Sequence, residues 1–147
     1  KIIYEFFDYN CGFCKRVFSD LMDLISENED IKIVFIELPV LGQSSLLASK
    51  AAYEAFKGGK YFAMHQKLIN HRGKITIEDI RVFAEEINID PELLINNINS
   101  TDIEFIEENY RIADKLNING TPTFIIGNEI IPGAIDKASM LQLISSY

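Results

Sequence analysis

The sequence predicts an α/β fold whose mixed sheet is built from two separated segments, in the order β-α-β … β-β-α, with an all-helical domain inserted between them. Three observations support this fold class. Strand-like apolar runs flank a helix-like run near the start of the chain, apolar residues recur at helical spacing through the middle, and a β-hairpin pattern follows near the end.

The first segment contains two strands joined by a helix. Residues 1 to 8 form an apolar, strand-like run, and Ile31 to Ile36 is rich in β-branched side chains and stops before Pro39. Between them, the spacing of apolar residues predicts a helix over residues 11 to 28, with Asn10 as its N-cap. Two strands joined by a helical crossover form a parallel βαβ unit.

The middle of the chain, residues 43 to 117, is the predicted helical insertion. Apolar side chains recur there at helical spacing, and Gly58-Gly59 interrupts the pattern. Asp90-Pro91 is typical of a helix start, and residues 101 to 116 predict a further helix.

The last segment predicts a hairpin followed by a helix. Residues 123 to 126 and 129 to 131 are strand-like and flank a Gly127-Asn128 turn, and a helix is predicted from about residue 136 to 145. The two strand-bearing segments must meet in one sheet. The predicted boundaries are residues 1–42 and 118–147 for the two parts of the sheet-bearing domain and residues 43–117 for the insertion.

Composition limits the classes of partner. The 147 residues suit one domain with an insertion, and 48% hydrophobic content is enough to build a core. The chain has 14 basic and 22 acidic residues and a net charge of -8, which argues against nucleic acid as a partner. No apolar run approaches the ~20 residues that span a bilayer. We expect no cofactor.

The most informative motif is Cys11-Gly12-Phe13-Cys14, which holds the only two cysteines. It lies between the first strand and the first helix, where helix N–H groups and the helix dipole stabilise a thiolate, the reactive form of cysteine. A C-x-x-C motif in this context predicts a thioredoxin-like redox site. We expect Cys11 to be exposed and to attack, and Cys14 to point inward and resolve the mixed disulfide. Gly12 and Phe13 would lie beside the substrate.

Charged neighbours should tune this pair. Lys15 and Arg16 should lower the pKa of Cys11, whereas Asp8 opposes them unless water screens it. The alternative of structural zinc requires four nitrogen or sulfur ligands, and the two histidines lie far away in the insertion. We therefore predict no metal ligands.

A second motif, Thr121-Pro122, precedes the first strand of the hairpin. A thioredoxin-type site places a cis-proline loop beside the cysteines, where its backbone groups bind an extended substrate. We therefore predict a cis Thr121–Pro122 bond that lies against the cysteine pair and takes part in substrate binding. Gly120 would allow the chain to turn before it.

Glu5 is a carboxylate within an otherwise apolar strand. Such a group is either exposed at a sheet edge or buried beneath the site, and burial would raise its pKa. A buried Glu5 could accept the proton of Cys14. We predict this catalytic role.

The insertion offers weaker candidates. His65 is predicted to be a packing or surface histidine rather than a catalytic base. The aromatic residues Phe56, Tyr61 and Phe62 are predicted to belong to the core.

Four segments together carry a family resemblance: Phe6–Arg16, Glu37–Gly42, Asn119–Phe124 and Pro132–Ala134. They resemble the DsbA-like bacterial thiol:disulfide oxidoreductases, most of all the branch with the suppressor-of-copper-sensitivity C protein and the Com outer-membrane protein. The resemblance covers nearly the whole chain. It implies a thioredoxin fold with an inserted helical domain, a periplasmic or cell-envelope location, cysteine-containing protein substrates and a membrane redox partner.

The resemblance also implies residue roles. Cys11 matches the nucleophilic cysteine of the family, Cys14 the resolving cysteine, Pro122 the cis-proline and Glu5 the buried acid.

Two departures from DsbA affect the expected activity. Gly12-Phe13 replaces a Pro-His pair whose histidine stabilises the thiolate, and Thr121 replaces a valine. Both resemble disulfide isomerases of the DsbC type. We therefore predict an isomerase or reductase-like enzyme first and a dithiol oxidase as the alternative. Such isomerases are oligomers joined through a segment N-terminal to the catalytic domain, so we expect a homo-oligomer joined by a segment outside this chain.

Two further functions compete. Soft thiolates suit Cu(I), so the same pair could serve a Cu(I)-binding protein. A chaperone that only holds unfolded chains would not need its cysteines. The Thr121-Pro122 loop favours the enzyme over the metal carrier, which has no use for it.

Overall fold

The structure, a computed structural model, describes all of residues 1–147. Its four strands are β1 (Ile2–Phe7), β2 (Lys32–Glu37), β3 (Thr123–Ile126) and β4 (Glu129–Pro132). They form one mixed sheet in the order β2-β1-β3-β4. β1 is parallel to β2 and antiparallel to β3, and β3 is antiparallel to β4. The two ends of the chain therefore meet in one sheet, as the sequence predicts.

Helix α1 (Gly12–Glu27) joins β1 to β2 and packs on the sheet. Its N-cap is Cys11, whose sulfur accepts a hydrogen bond from the Cys14 backbone N–H at 3.4 Å. The prediction that Asn10 caps this helix is wrong. The Asn10 amide donates instead to two serine hydroxyl groups at the start of the insertion, at 3.0 Å each.

The insertion between β2 and β3 is all helical, as predicted, and contains five helices. They are α2 (Gln43–Lys57), α3 (Tyr61–Asn70), α4 (Ile77–Glu86), α5 (Pro91–Ile98) and α6 (Glu104–Lys115). Asp90 caps α5 by accepting hydrogen bonds from the N–H groups of Glu92 and Leu93, as its place before a proline indicates.

The hairpin and last helix complete the fold. Gly127 adopts a φ of 59° between β3 and β4, a left-handed conformation that glycine adopts without steric cost. Helix α7 (Lys137–Ile144) follows and packs beside α1. The architecture is a thioredoxin fold with a helical insertion.

The core continues from the sheet into the insertion. One cluster joins the sheet to α1 and α7, and a larger cluster joins the start of α1 to helices α2 to α5. Ile3, Glu5 and Phe7 alternate onto the face of β1 that α1 covers, since side chains two apart share a face. This register places the Glu5 carboxylate inside the core, on the same side of the sheet as Cys14.

The aromatic residues of the insertion differ from the prediction. Phe56 is 62% exposed and Phe62 is 43% exposed, so their assignment to the core is wrong. His65 is buried among aromatic rings and is a packing histidine, as predicted. No helix has both the length and the apolar character required to cross a membrane.

Candidate active site

The two cysteines lie at the start of α1, Cys11 as its N-cap and Cys14 in its first turn, and both are free thiols. Cys14 is 1% exposed and Cys11 is 7% exposed. The expectation that Cys11 is openly exposed is therefore wrong, although it is the more accessible of the pair. Cys11 is shielded because its sulfur faces the loop before β3 and lies 3.4 Å from the Thr121 carbonyl oxygen.

The electrostatics separate the two thiols. The pKa of Cys11 is lowered from 9.0 to about 5, chiefly by the hydrogen bond from the Cys14 thiol. Hydrogen bonds from Thr121 and from the backbone N–H groups of Cys14 and Phe13 lower it further, while burial opposes them. The pKa of Cys14 is raised far above its usual range by its hydrogen bond to Cys11 and by burial. Cys11 is thus a thiolate at neutral pH, and Cys14 keeps its proton.

The ammonium of Lys15 interacts with the charge of Cys11, as the sequence suggests, but neither Lys15 nor Arg16 is among the main causes of the low Cys11 pKa. The Lys15 ammonium donates to carbonyl oxygens at the end of α3, including that of His71 at 2.7 Å. The Arg16 guanidinium lies 4.8 Å from the centre of the Phe13 ring. The thiolate is stabilised mainly by hydrogen bonds rather than by these side chains.

The Thr121–Pro122 peptide bond is cis, as predicted, and lies beside Cys11. The loop is held by hydrogen bonds from the Thr123 hydroxyl to the Gly120 carbonyl oxygen, at 2.7 Å, and from the Gly133 N–H to that of Pro122, at 2.8 Å. The backbone N–H of Thr121 has no partner within the chain. A cavity of about 270 Å³ lies along this loop.

Glu5 is 3% exposed and lies in the core beneath the cysteines. Burial raises its pKa to about 8, and the negative charge of Cys11 contributes to the increase. Glu5 in turn raises the pKa of Cys14. The carboxyl group is therefore electrostatically coupled to both thiols and titrates close to neutral pH.

Asp8 supports the site in a way that the sequence does not suggest. It is buried rather than solvated, and its Oδ2 accepts from the N–H groups of Val40 and Leu41 at 2.8 Å and 3.0 Å. Its Oδ1 accepts from the Asn10 N–H and the Ser45 hydroxyl, at 2.7 Å each. This carboxylate holds the loop after β2 against the start of α1.

That loop adds an apolar rim to the site. Phe13, Val40 and Leu41 are all about half exposed. Leu41 shares a surface cavity with Gly12, directly between the two cysteines. A side chain at Gly12 would meet no atom within 4 Å, so the surface above the motif is open.

A further buried carboxylate, Glu37, also escaped the sequence analysis. Its Oε2 accepts hydrogen bonds from the hydroxyl groups of Tyr9, at 3.1 Å, and Tyr61, at 2.7 Å. Tyr9 also contacts the Nδ1 of His65 at 2.8 Å, and burial lowers the pKa of that histidine to about 3. The signal was similar to that for Glu5: Glu37 is a lone acid at the end of an apolar strand, whereas Glu5 lies within one.

Metal-binding geometry is not evident in the chain. No group of three or more histidine, cysteine, aspartate or glutamate side chains is arranged to hold an ion.

The chain is similar to known proteins over almost its whole length. A family model described as thioredoxin matches residues 1–146. Among curated relatives, the Na(+)/H(+) antiporter NhaA 1 of Salinispora arenicola is 23% identical over 147 residues, which cover 98% of this chain and 22% of the antiporter. The chain thus spans about a quarter of the length of the antiporters that it matches. Disulfide bond formation protein D of Bacillus subtilis is 26% identical over 155 residues, covering 97% of this chain and 70% of that protein.

Solved structures of thioredoxin-like oxidoreductases are also similar to this chain. A thioredoxin-like oxidoreductase from Silicibacter pomeroyi has a TM-score of 0.92 and 30% identity, covering 99% of this chain and 84% of that one. The catalytic domain of Proteus mirabilis ScsC has a TM-score of 0.88 and 28% identity, covering 99% and 81%. The resemblance to DsbA-like oxidoreductases and the ScsC branch is confirmed. The family model extends over almost every residue, and the chain therefore belongs to the thioredoxin family.

Proposed function

We propose that this domain is a protein thiol–disulfide oxidoreductase in which Cys11 is the nucleophile and Cys14 the resolving cysteine. The observation that carries the proposal is the opposite pKa shift of two thiols in one helical turn. A thiolate at neutral pH attacks disulfides, and a neighbouring thiol that holds its proton can wait until the mixed disulfide has formed.

The first step is attack by the Cys11 thiolate on one sulfur of a substrate disulfide. The new bond joins Cys11 to that sulfur, and the other substrate sulfur leaves as a thiolate. Loss of the Cys11 charge removes a contribution that raises the Glu5 pKa, so Glu5 ionises more readily at this stage.

The second step is resolution. Ionised Glu5 accepts the proton of Cys14, and the resulting thiolate attacks the Cys11 sulfur. A disulfide then joins Cys11 to Cys14, and the substrate sulfur leaves as a thiol after protonation. In an isomerase, a second thiolate of the substrate attacks the substrate sulfur of the mixed disulfide instead, so that a new disulfide forms within the substrate and Cys11 leaves as a thiolate.

The substrates we propose are extended, cysteine-containing polypeptides. The unpaired N–H of Thr121 lies next to the nucleophile and can pair with an added strand. The half-exposed side chains of Phe13, Val40 and Leu41 supply an apolar rim for unfolded chain segments. Gly12, Phe13, Thr121 and Pro122 would contact the substrate directly.

Within this class, we propose disulfide isomerisation as the activity. The Gly12-Phe13 pair and Thr121 before the cis-proline support it by their resemblance to isomerases. The low pKa of Cys11 favours a second candidate, a dithiol oxidase, because a stabilised thiolate favours the reduced form and makes the pair oxidising. Hydrogen bonds here supply the stabilisation that a histidine supplies in DsbA.

We further propose a location in the bacterial periplasm or envelope, where a membrane redox partner resets the pair. Support comes from the named relatives, which include a periplasmic thioredoxin-like protein from Salmonella enterica. Two predictions remain to be tested. Sedimentation can test for a homo-oligomer joined by a segment outside this chain, and copper titration can test for Cu(I) binding by the thiol pair.

The experiment is a pair of refolding assays. An isomerase reactivates scrambled ribonuclease in glutathione buffer, whereas an oxidase, supplied in excess with its Cys11–Cys14 disulfide formed, reactivates reduced ribonuclease without glutathione and is itself reduced. Cys11→Ala should abolish both activities, and Cys14→Ser should accumulate a mixed disulfide at Cys11. Full activity in Cys11→Ala would contradict the proposal and favour a chaperone that only holds its client.

A further inference from the structure

A separate cavity, of about 270 Å³, lies at the outer edge of β2 between helices α2, α3 and α6. Five aromatic side chains line it, together with Glu37 and Asn109: Phe35, Tyr53, Phe56, Tyr61 and Phe105. Neither cysteine and no residue of the cis-proline loop takes part. The proposed oxidoreductase activity therefore gives this cavity no role.

The wall of the cavity is built from parallel rings. Tyr53 and Phe105 stack with centres 4.4 Å apart and planes 13° apart, and Phe56 stacks on Tyr53 at 6.3 Å and 24°. The exposure of Phe56 makes this wall accessible from solvent. Aromatic faces carry partial negative charge and attract cations.

Glu37 is a lining residue with an unsatisfied oxygen. The residue is 5% exposed, and both of its tyrosine hydrogen bonds go to Oε2. Oε1 is buried and no donor lies within hydrogen-bond geometry of it, although the Ser49 hydroxyl is near enough to the carboxyl group to lower its pKa. A buried acceptor without a donor is destabilising, so a bound donor would relieve that cost.

The charges around the cavity favour a cation. No basic side chain is among the lining residues. An adjoining surface cavity shares Tyr53 and Phe105 and is flanked by three acids and by Arg111, which is paired with Glu108 at 2.5 Å. The ammonium of Lys57 already lies 5.0 Å from the centre of the Tyr53 ring, but a salt bridge of 3.0 Å holds it to Glu54.

We infer that this cavity binds an organic cation, an ammonium or guanidinium group on a small apolar body. The aromatic rings would hold the body, and the charged N–H groups would donate to Oε1 of Glu37. The cation can belong to a free amine or to a lysine or arginine side chain of a protein, and the experiment below separates these sources.

The probes are 2-phenylethylamine and its neutral analogue 2-phenylethanol, titrated by calorimetry and by amide chemical-shift mapping of the whole domain. The amine should bind at least about tenfold more tightly than the alcohol and should shift the resonances of Tyr53, Phe56 and Phe105. Equal affinity of amine and alcohol would reduce the cavity to an apolar surface and overturn the inference, as would no binding at millimolar amine.

Variants test the two recognition elements. Glu37→Gln keeps an acceptor for the tyrosines and should weaken amine binding at least about tenfold, whereas Glu29→Gln, at an exposed site outside the cavity, should not. Phe56→Leu should also weaken binding, with Phe62→Leu as its matched control. Because Phe56 is exposed, this variant tests the inference even where Glu37→Gln fails to fold. Unchanged amine affinity in Phe56→Leu and in folded Glu37→Gln would overturn it.

A capped glycine–lysine–glycine peptide separates the sources. Competition between the peptide and the amine for the same resonances would assign the site to a basic side chain of a protein. Binding of the free amine alone would assign it to a small molecule, and binding of neither would contradict the site.

Discussion

The Cys11 thiol lies 3.4 Å from the carbonyl oxygen of Thr121, a residue 110 positions further along the chain. Folding brings the nucleophile at the start of α1 against the loop that precedes β3. The same threonine lowers the pKa of Cys11 through its side chain. Thr121 thus connects thiolate stability to the backbone that is proposed to bind substrate.

Replacement of Thr121 by valine should raise the pKa of Cys11 above about 5. Valine keeps the shape of the side chain and removes the hydroxyl donor. A hydrogen bond to a charged group contributes about 1.5 kcal/mol, so the increase should be about one unit. Ultraviolet absorbance of the thiolate against pH measures it. Thr101→Val, in the insertion, should leave the titration of Cys11 unchanged. An unchanged midpoint in Thr121→Val would show that the Thr121 hydroxyl does not stabilise the Cys11 thiolate.

Glu5→Gln should slow resolution of the mixed disulfide on the order of a hundredfold. The attack by Cys11 should then be much faster than resolution. Glutamine cannot accept the Cys14 proton, although its shape is similar. In the native protein the resolution rate should rise with pH through a midpoint at or below about 8, because ionised Glu5 is the base. Rapid-quench kinetics with a peptide disulfide measures both steps.

The control for this substitution is Glu29→Gln, which replaces an exposed glutamate remote from the thiols. If Glu5→Gln retains both the native resolution rate and its pH dependence, Glu5 has no role in proton transfer.

The reduced form should gain stability relative to the oxidised form as pH rises from about 5 to about 9. Folding lowers the pKa of Cys11 from 9.0 to about 5, so the folded thiol has lost its proton in this window while the unfolded thiol keeps it. The stabilisation is complete above the unfolded pKa and is lost as pH falls through about 5. At neutral pH it should amount to about 1 to 2 kcal/mol, after discounting for the partly solvated sulfur.

Urea unfolding of both redox forms measures this difference. The comparison belongs in the Glu5→Gln background, because the Glu5 carboxyl has a raised pKa and titrates with the opposite sign. The charge of Cys11 contributes to the Glu5 pKa, so Glu5 titrates differently in the two redox forms, whereas no cysteine is among the groups that shift the pKa of Glu37. A difference that does not change between about pH 5 and about pH 8 would contradict the thiolate assignment.

Asp8→Asn should destabilise the fold by about 1 to 3 kcal/mol and weaken substrate binding. The buried carboxylate accepts four hydrogen bonds, two of them from the loop that carries Val40 and Leu41. An amide cannot accept all four, so this loop should loosen. Chemical denaturation and the KM for a peptide disulfide measure the effects, with exposed Asp30→Asn as the control. A variant with native stability and native KM would show that the loop does not depend on Asp8.

Much of this fold follows from local patterns in the sequence. The C-x-x-C motif between a strand and a helix, the hairpin around Gly127 and the Asp90-Pro91 helix start depend on neighbouring residues, and each is present in the structure. The boundaries of the insertion and the roles of the site residues stay predictions.

The errors share a physical cause. Asn10 has the residue type of an N-cap but uses its amide to reach the insertion, and Lys15 turns to the end of α3. Asp8 and Glu37 take buried hydrogen bonds from residues distant in the chain. A sequence pattern reports the type of a side chain, whereas tertiary contacts decide its partner.

The reduction potential of the Cys11–Cys14 pair tests the central claim most directly. The domain is equilibrated with reduced and oxidised glutathione, and alkylation and mass measurement count the free thiols. Thioredoxin, with a nucleophile of pKa about 7, has a potential of about −270 mV. Because the pKa of Cys11 is about 5, the account predicts a reversible two-electron transition more oxidising than about −200 mV. A potential at or below about −270 mV, or no reversible transition, would contradict it.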